Sequence, residues 1–367
     1  MFILCCFNVI AYSYKIRKYV LILQKITMDM AGKSFAEIGR IEAIDMLFEE
    51  SGFKRTEGIG FVPAEGSTVR EASRIFVEGI DFDLMYFPLP HLGYKSVIAV
   101  AGELYARLAH PRLLSVRFGV SAKLDLSHVS EIWKGVTTAA KEHGFETIDL
   151  DLVPSPNGLT IGISATGEEL KATKGKVAAA KSMDLICVSG SLGAAYIGQQ
   201  ILEREKRNFE KTKDDSHQPD LEKYRMLIGS YLRPELPASI LAHLEDSEIY
   251  PSNGYLVTRG LSDAVKRLVR DTGLGAKVYA DKIPFEGNSF AVGKEMDFDP
   301  ISAAMNGGDD YQLLFTIPIL EAEKFRHDFQ TFDIIGHMAQ PEVGAVLVSP
   351  DGAELPLKAQ GWSDDEE

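Results

Sequence analysis

The sequence predicts an α/β (α+β) protein of two domains, and three observations carry that expectation. The chain has 367 residues, long for one compact domain and comfortable for two. Its hydrophobic content of 45% is enough for a sizeable core. Strand-like and helix-like runs alternate along it, the pattern of mixed α/β folds.

Taken in order, "FAEIGRIEAIDMLFEESG" has apolar residues at helical spacing and ends at Gly52, so it reads as an amphipathic helix. "RIFVEGIDFDLMYF" reads as a strand broken at Gly79. "HLGYKSVIAVAGELYARLAHPR" is a long helix pattern that stops before Pro111, followed by the strand "LLSVRFGVSA". "SHVSEIWKGVTTAAKEHG" opens on a Ser cap and closes on His-Gly, a helix signature. "GLTIGISATGE" is a further strand. These elements make a first half that ends near residue 170.

In the second half, "DLICVSGSLGAAYIGQQILEREK" is a buried strand, a Gly-Ser-Leu-Gly turn and a helix. Backbone N–H groups at such a helix start can meet an anion, although an ordinary strand-to-helix turn has the same sequence. "REKRNFEKTKDDSHQPDLEKYR" is charged and reads as a solvated loop or frayed helix ends. "LSDAVKRLVRDTG" is a helix that stops at Gly273, and "YQLLFTIPI", "FDIIGHM" and "GAVLVSPDG" are strands or turns. The expected domains are 30–170 and 171–362, with an extension at 1–29 and an acidic tail at 363–367.

The N-terminal stretch has two short apolar runs broken by "YKIRK". Neither reaches the roughly 20 residues of a membrane-spanning helix, and a basic region and cleavage site are lacking. An upstream translation extension or a disordered tail is the expectation, with a membrane anchor as the alternative. The net charge of −14 argues against nucleic acid or an anionic membrane as partner. Cys5, Cys6 and Cys187 form no disulfide framework and no zinc spacing, which fits a cytoplasmic location. Cys187, in an apolar run, is expected to be a small buried hydrophobe.

The stretch "MNGGDDYQLLF", Met305 to Phe315, combines two glycines with two carboxylates. A flexible acidic turn of this kind suits a metal–phosphate site: Gly307 and Gly308 allow close approach, and Asp309 and Asp310 supply oxygen ligands. The plainer alternative is a turn the fold needs, with both aspartates capping backbone.

The ordered segments "FVEGIDFDLMYFPLPHLGYKS", "SPNGLTIGISATGE", "DLICVSGSLGAAYIG", "NGGDDYQLLFTIP", "IIGHM" and "AQGW" resemble thiamine-monophosphate kinase from about Phe35 to Trp362. The resemblance implies the two-domain aminoimidazole ribonucleotide synthetase-like fold, with a dimer-forming sheet in the N-terminal domain and an α/β C-terminal domain. It implies transfer of the γ-phosphoryl of ATP to thiamine monophosphate with several Mg²⁺ ions. ATP and a substrate phosphate are both anionic, so cations held by carboxylates must lie between them.

Position by position, the family's acidic residues fall on Phe61, Val62, Arg74, Leu256 and Arg259, none of which can ligate a metal. Carboxylates survive at Glu103, Asp151, Asp309 and Asp310, which the resemblance makes metal ligands, with Asp310 and Asp151 also catalytic. Gly307, Gly308, Asp309, Gly190, Ser191 and Gly193 become phosphate- or nucleotide-binding, joined by the new guanidiniums of Arg74 and Arg259. Trp362 becomes a surface for a substrate ring, or else core packing. Two functions stay open. One is a catalytically impaired homologue that binds a nucleotide or phosphate, as a homodimer or as a heterodimer with an active relative. The other is an active thiamine-monophosphate kinase, or a related phosphotransferase, with a reduced Mg²⁺ set. In the first case Arg74 and Arg259 should face the same cleft as Asp309 and Asp310.

Overall fold

The computed structural model describes residues 34–49, 51–55, 58, 60–212 and 221–358. The expectations for the N-terminal extension, for Cys5 and Cys6, for Trp362 and for the acidic tail fall outside this range.

The first expected helix is two pieces, Phe35–Ile38 and α1 (Arg40–Glu49), separated at Gly39 with φ 83°. A four-stranded sheet follows, in the order β1 (Thr68–Val77), β4 (Thr160–Glu169), β2 (Ala109–Ser121), β3 (Thr147–Ser155). All its pairs are antiparallel except β2 with β3. Three expectations change here. β1 starts at Thr68 rather than Arg74, because Arg70, Ala72 and Arg74 continue the inward face of the pleat. The long helix α2 (Leu89–Ala106) ends sooner than expected, and Pro111 lies inside β2, where a register shift between Pro111 and Leu113 accommodates it. β3, "TIDLDLVPS", had not been expected; its acidic outward residues mask a regular apolar alternation of Ile148, Leu150 and Leu152.

Helix α3 (Leu126–Glu142) joins β2 to β3. Its cap is Asp125 rather than the expected Ser, and Asp125 accepts from the His128 backbone N–H at 3.1 Å. Helices α2 and α3 cross at backbone contact. A Cβ on Gly93 would sit 2.0 Å from the Ile132 carbonyl oxygen, and one on Gly135 would sit 1.9 Å from that of Pro90.

The second sheet has seven strands in the order β11 (Glu354–Pro356), β10 (Ala345–Val348), β7 (Gly275–Tyr279), β9 (Asp333–Ala339), β5 (Leu185–Val188), β8 (Gln312–Ile317), β6 (Asn253–Val257). Cys187, in β5, is fully buried, as expected of a small hydrophobe. Helix α4 (Ala194–Thr212) continues further into the charged segment than a solvated loop would. It packs on α5 (Arg225–Leu232). Helix α6 (Leu261–Thr272) stops at Gly273 in the left-handed region, as its sequence predicts.

Helix α2 is buried on nearly every side, unlike an amphipathic surface helix. It touches β1, β2 and β4 of the first sheet and β6 and β8 of the second. Its Leu92, Val97, Ile98 and Leu104 are wholly inaccessible, each worth about 1.5–3 kcal/mol of burial. This helix carries Lys95 and Glu103 into the seam between the sheets. Among the described residues no helix is long and apolar enough to cross a membrane.

Candidate functional site

The acidic turn is built by its flanks. Helix α7 (Pro300–Asn306) begins at Asp299, whose carboxylate accepts from the backbone N–H groups of Ile301 and Ser302, with Pro300 at its first position. After it, Gly308 has φ 84°, and a Cβ there would meet the Thr258 carbonyl oxygen at 2.9 Å. Asp309 and Tyr311 also take left-handed backbone, φ 60° and 51°, which is rare for a side chain as large as tyrosine. Two bonds to the end of β6 hold the strain in place: Asp309 N–H to the Thr258 carbonyl at 3.0 Å and Tyr311 N–H to that of Val257 at 2.9 Å.

This backbone sends the two adjacent carboxylates in opposite directions. Asp309 faces the first sheet. Its Oδ2 lies 2.9 Å from Lys95 Nζ, its Oδ1 lies 3.3 Å from Arg74 Nη2, and the Tyr311 hydroxyl donates to Oδ1 at 3.1 Å. Arg74 also lies 3.8 Å from Asp81. Lys95 is almost wholly buried: its ammonium donates to the Tyr231 carbonyl at 2.9 Å and sits 3.9 Å from the Tyr231 ring centroid. Burial pushes the Asp309 carboxyl up, but Lys95 and Arg74 outweigh it and hold the group below the ordinary carboxylate range. Burial drives the Lys95 ammonium the other way, below its ordinary value, against the pull of Asp309.

Asp310 faces the second sheet. Its Oδ2 accepts from the Gly193 N–H at 2.9 Å and its Oδ1 from the Ala195 N–H at 3.3 Å, at the start of α4. Burial pushes it up to about 7 in spite of those two donors. The backbone N–H groups at the Gly-Ser-Leu-Gly turn are therefore already occupied by a carboxyl group of the chain itself. Gly193 is required for packing, since its φ is 76° and a Cβ would lie 2.7 Å from the Ala304 nitrogen. Gly190 lies against Gln312, whose Oε1 accepts from Ser189 Oγ at 2.7 Å, and Ser191 is half-buried beside it. Gly307 packs on the Tyr196 side chain.

The remaining expected site residues do not converge on this turn. Register places Asp151 in one row with Arg117, Gly162 and Ile75, on the outer face of the first sheet. Arg74 is on the inner face, and Asp151 pairs instead with Arg40. Glu103 projects from α2, 3.9 Å from Arg267 Nη1, and burial raises its carboxyl. Arg259 is exposed and forms no ion pair among the described residues, although its backbone abuts Gly308. Of the two arginines expected to share the cleft, Arg74 joins Asp309 and Arg259 does not. Leu256 is buried, with its methyl groups where a Cβ on Gly102 would be.

The donor set does not fit the family's Mg²⁺ cluster. Among the described residues no three His, Cys, Asp or Glu side chains come together in a way that could hold a metal. Asp309 is neutralised by two protein cations, Asp310 is spent on helix α4, and Asp151 lies across the sheet. Sequence reasoning missed Lys95, Asp81 and Tyr311. For Lys95, a lysine inside an apolar helix, as in "GYKSVIAV", was the available clue.

No family model matches the chain. The curated thiamine-monophosphate kinase of Aquifex aeolicus is 23% identical over 289 residues, spanning 78% of this chain and 87% of the relative. AaThiL complexed with AMPPCP and TMP superposes with a TM-score of 0.66 at 21% identity, over 89% of this chain and 97% of that one. Hydrogenase maturation protein HypE in complex with ATP superposes with a TM-score of 0.60 at 17% identity, over 89% and 94%. The two-sheet architecture is thus the α/β fold of aminoimidazole ribonucleotide synthetase-like proteins. Within that fold, the curated proteins to which the chain is similar in sequence are thiamine-monophosphate kinases, at 23% identity for that of Aquifex aeolicus and 20% for that of Bacillus subtilis.

Proposed function

We propose that this protein is a kinase homologue whose central cleft has replaced bound cations with its own, and that it binds a nucleotide or a thiamine phosphate without Mg²⁺. The family reaction, ATP plus thiamine monophosphate to thiamine diphosphate plus ADP, is lost or greatly slowed. The observation that carries this reading is the clamp on Asp309, with Lys95 at 2.9 Å and Arg74 at 3.3 Å. A guanidinium offers no lone pair to a metal, and its charge sits where a cation would otherwise be needed. The packing of Leu256 against Gly102 supports the same reading, because it places a hydrocarbon where the resemblance expects a carboxylate. Arg259, exposed and with its backbone against Gly308, is in this proposal the cation offered to a phosphate outside the Asp309 clamp. The outer face of the first sheet, with Ile75 and Val153 exposed, is the surface through which the chain forms a homodimer in this proposal.

Calorimetry with ATP tests it. Binding should be the same in EDTA as in Mg²⁺, and Arg259→Gln should weaken it about tenfold, ~1.4 kcal/mol. A coupled assay should detect no sustained thiamine diphosphate formation. Mg²⁺-dependent binding together with turnover would establish the active kinase instead, a reading kept in view by the solved relative complexed with AMPPCP and TMP.

A further inference from the structure

The last described residue, Lys358, lies beside the acidic turn. Leu357 is buried in one hydrophobic cluster with Met305 and Leu261, and its N–H donates to the Ala345 carbonyl at 2.9 Å. With the Asn306 amide oriented to its acceptors, its nitrogen donates to the Lys358 carbonyl at 2.9 Å. The other flank of Asn306 meets the start of α6: a Cβ on Gly260 would lie 2.7 Å from the Asn306 Cα. Gly260 directly follows Arg259. Asn306 therefore stands between Lys358 and the exposed arginine. The path from Lys358 through Asn306 and Gly260 to Arg259 is roughly 15 Å at most, since neighbouring Cα atoms are about 3.8 Å apart.

From Lys358 the sequence continues as "AQGWSDDEE", with four carboxylates, those of Asp364, Asp365, Glu366 and Glu367. The stretch from Lys358 to Asp364 spans up to about 20 Å when extended, so all four groups can reach Arg259. A short flexible link of this kind gives an effective concentration of about millimolar. Charge narrows the choice of partner. The protein carries a net −14, so much of its surface repels an acidic segment. Lys95 and Arg74 are already committed to Asp309. Arg259 is exposed and forms no ion pair among the described residues.

We propose that the acidic segment 363–367 folds back onto Arg259 and is an internal competitor for phosphate at that position. The inference rests on the reading of Arg259 as the phosphate cation and adds the regulation of that site. An exposed ion pair is weak and screened by salt, so the contact is reversible. A polyphosphate, with more charge on fewer atoms, displaces the segment, and the segment raises the ligand concentration needed to do so.

The test compares the full chain with the variant D364N/D365N/E366Q/E367Q. By calorimetry in EDTA at low salt, ATP should bind the variant about threefold more tightly or better, the size of effect one exposed ion pair gives. The difference should disappear in about 0.5 M NaCl and in the Arg259→Gln background. A second readout needs no ligand. The chain has two tryptophans, buried Trp133 and Trp362 next to the acidic run. After 5-fluorotryptophan labelling, the Trp362 fluorine signal, assigned by its loss in Trp362→Phe, should move in the amide variant and in Arg259→Gln. The Trp133 signal should stay in place, which shows the fold intact. ATP binding that depends on Arg259 but is equal in the two chains overturns the inference and leaves the function reading standing. A Trp362 signal indifferent to Arg259→Gln overturns it as well. ATP binding indifferent to Arg259→Gln in both chains removes the function reading, and the competition with it.

Discussion

At the scale of single residues, the acidic turn assigns opposite electrical roles to neighbouring aspartates. Asp309 compensates a lysine that is almost wholly buried, so Asp309→Asn should leave that charge uncompensated. The expected cost is about 3 kcal/mol or more, read as a fall in the urea midpoint at unchanged slope. Asp310 carries a different signature. Burial lifts it to about 7, well above the ~3.9 of an unfolded chain. The folded protein therefore holds a proton that the unfolded chain releases, and this contribution is complete below about pH 4 and lost as pH rises through about 7. Asp310→Asn removes the titration, so wild-type stability relative to that variant should fall between about pH 4 and about pH 7 and level off above. A difference independent of pH would show that Asp310 is ionised throughout. The sequence displayed both carboxylates, but it could not reveal that they point apart, because that follows from left-handed backbone at Asp309 and Tyr311, either side of Asp310.

At the scale of elements, α2 governs the junction. Its contact with α3 leaves no room for a side chain at Gly93 or Gly135. Gly135→Ala should therefore cost about 3 kcal/mol or more despite the gain in helix propensity, visible as a large drop in melting temperature. The Gly102–Leu256 contact makes a complementary prediction. Leu256→Asp, which returns the residue type the resemblance expects, should destabilise the fold by several kcal/mol and should not create Mg²⁺ binding by calorimetry. Helices α3 and α6 were legible from caps and spacing, although the cap of α3 proved to be Asp125. The strand β3 was not legible, since its outward aspartates interrupt a short apolar pattern, and neither was the start of β1.

At the scale of the whole molecule, two sheets share one buried helix, and the outer face of the first sheet is open with Ile75 and Val153 exposed. If the proposed homodimer uses that face, light scattering should give twice the mass of the 40.4 kDa chain, and Ile75→Lys should shift it toward the monomer. A monomeric wild type would remove the dimer from the proposal.

The sequence by itself determined the fold class, since the order of apolar periods, turn glycines and caps is local information that survives in one dimension. It also showed which side chains cannot ligate a metal, because those of arginine and leucine carry no oxygen in any fold. Only the tertiary structure decided the partners of the acidic turn. The pairing of Asp309 with Lys95 and Arg74 joins residues more than 200 positions apart, and the capping of α4 by Asp310 joins residues 117 apart. Electrostatic compensation depends on distance in space and on burial, and neither is written in the order of the residues.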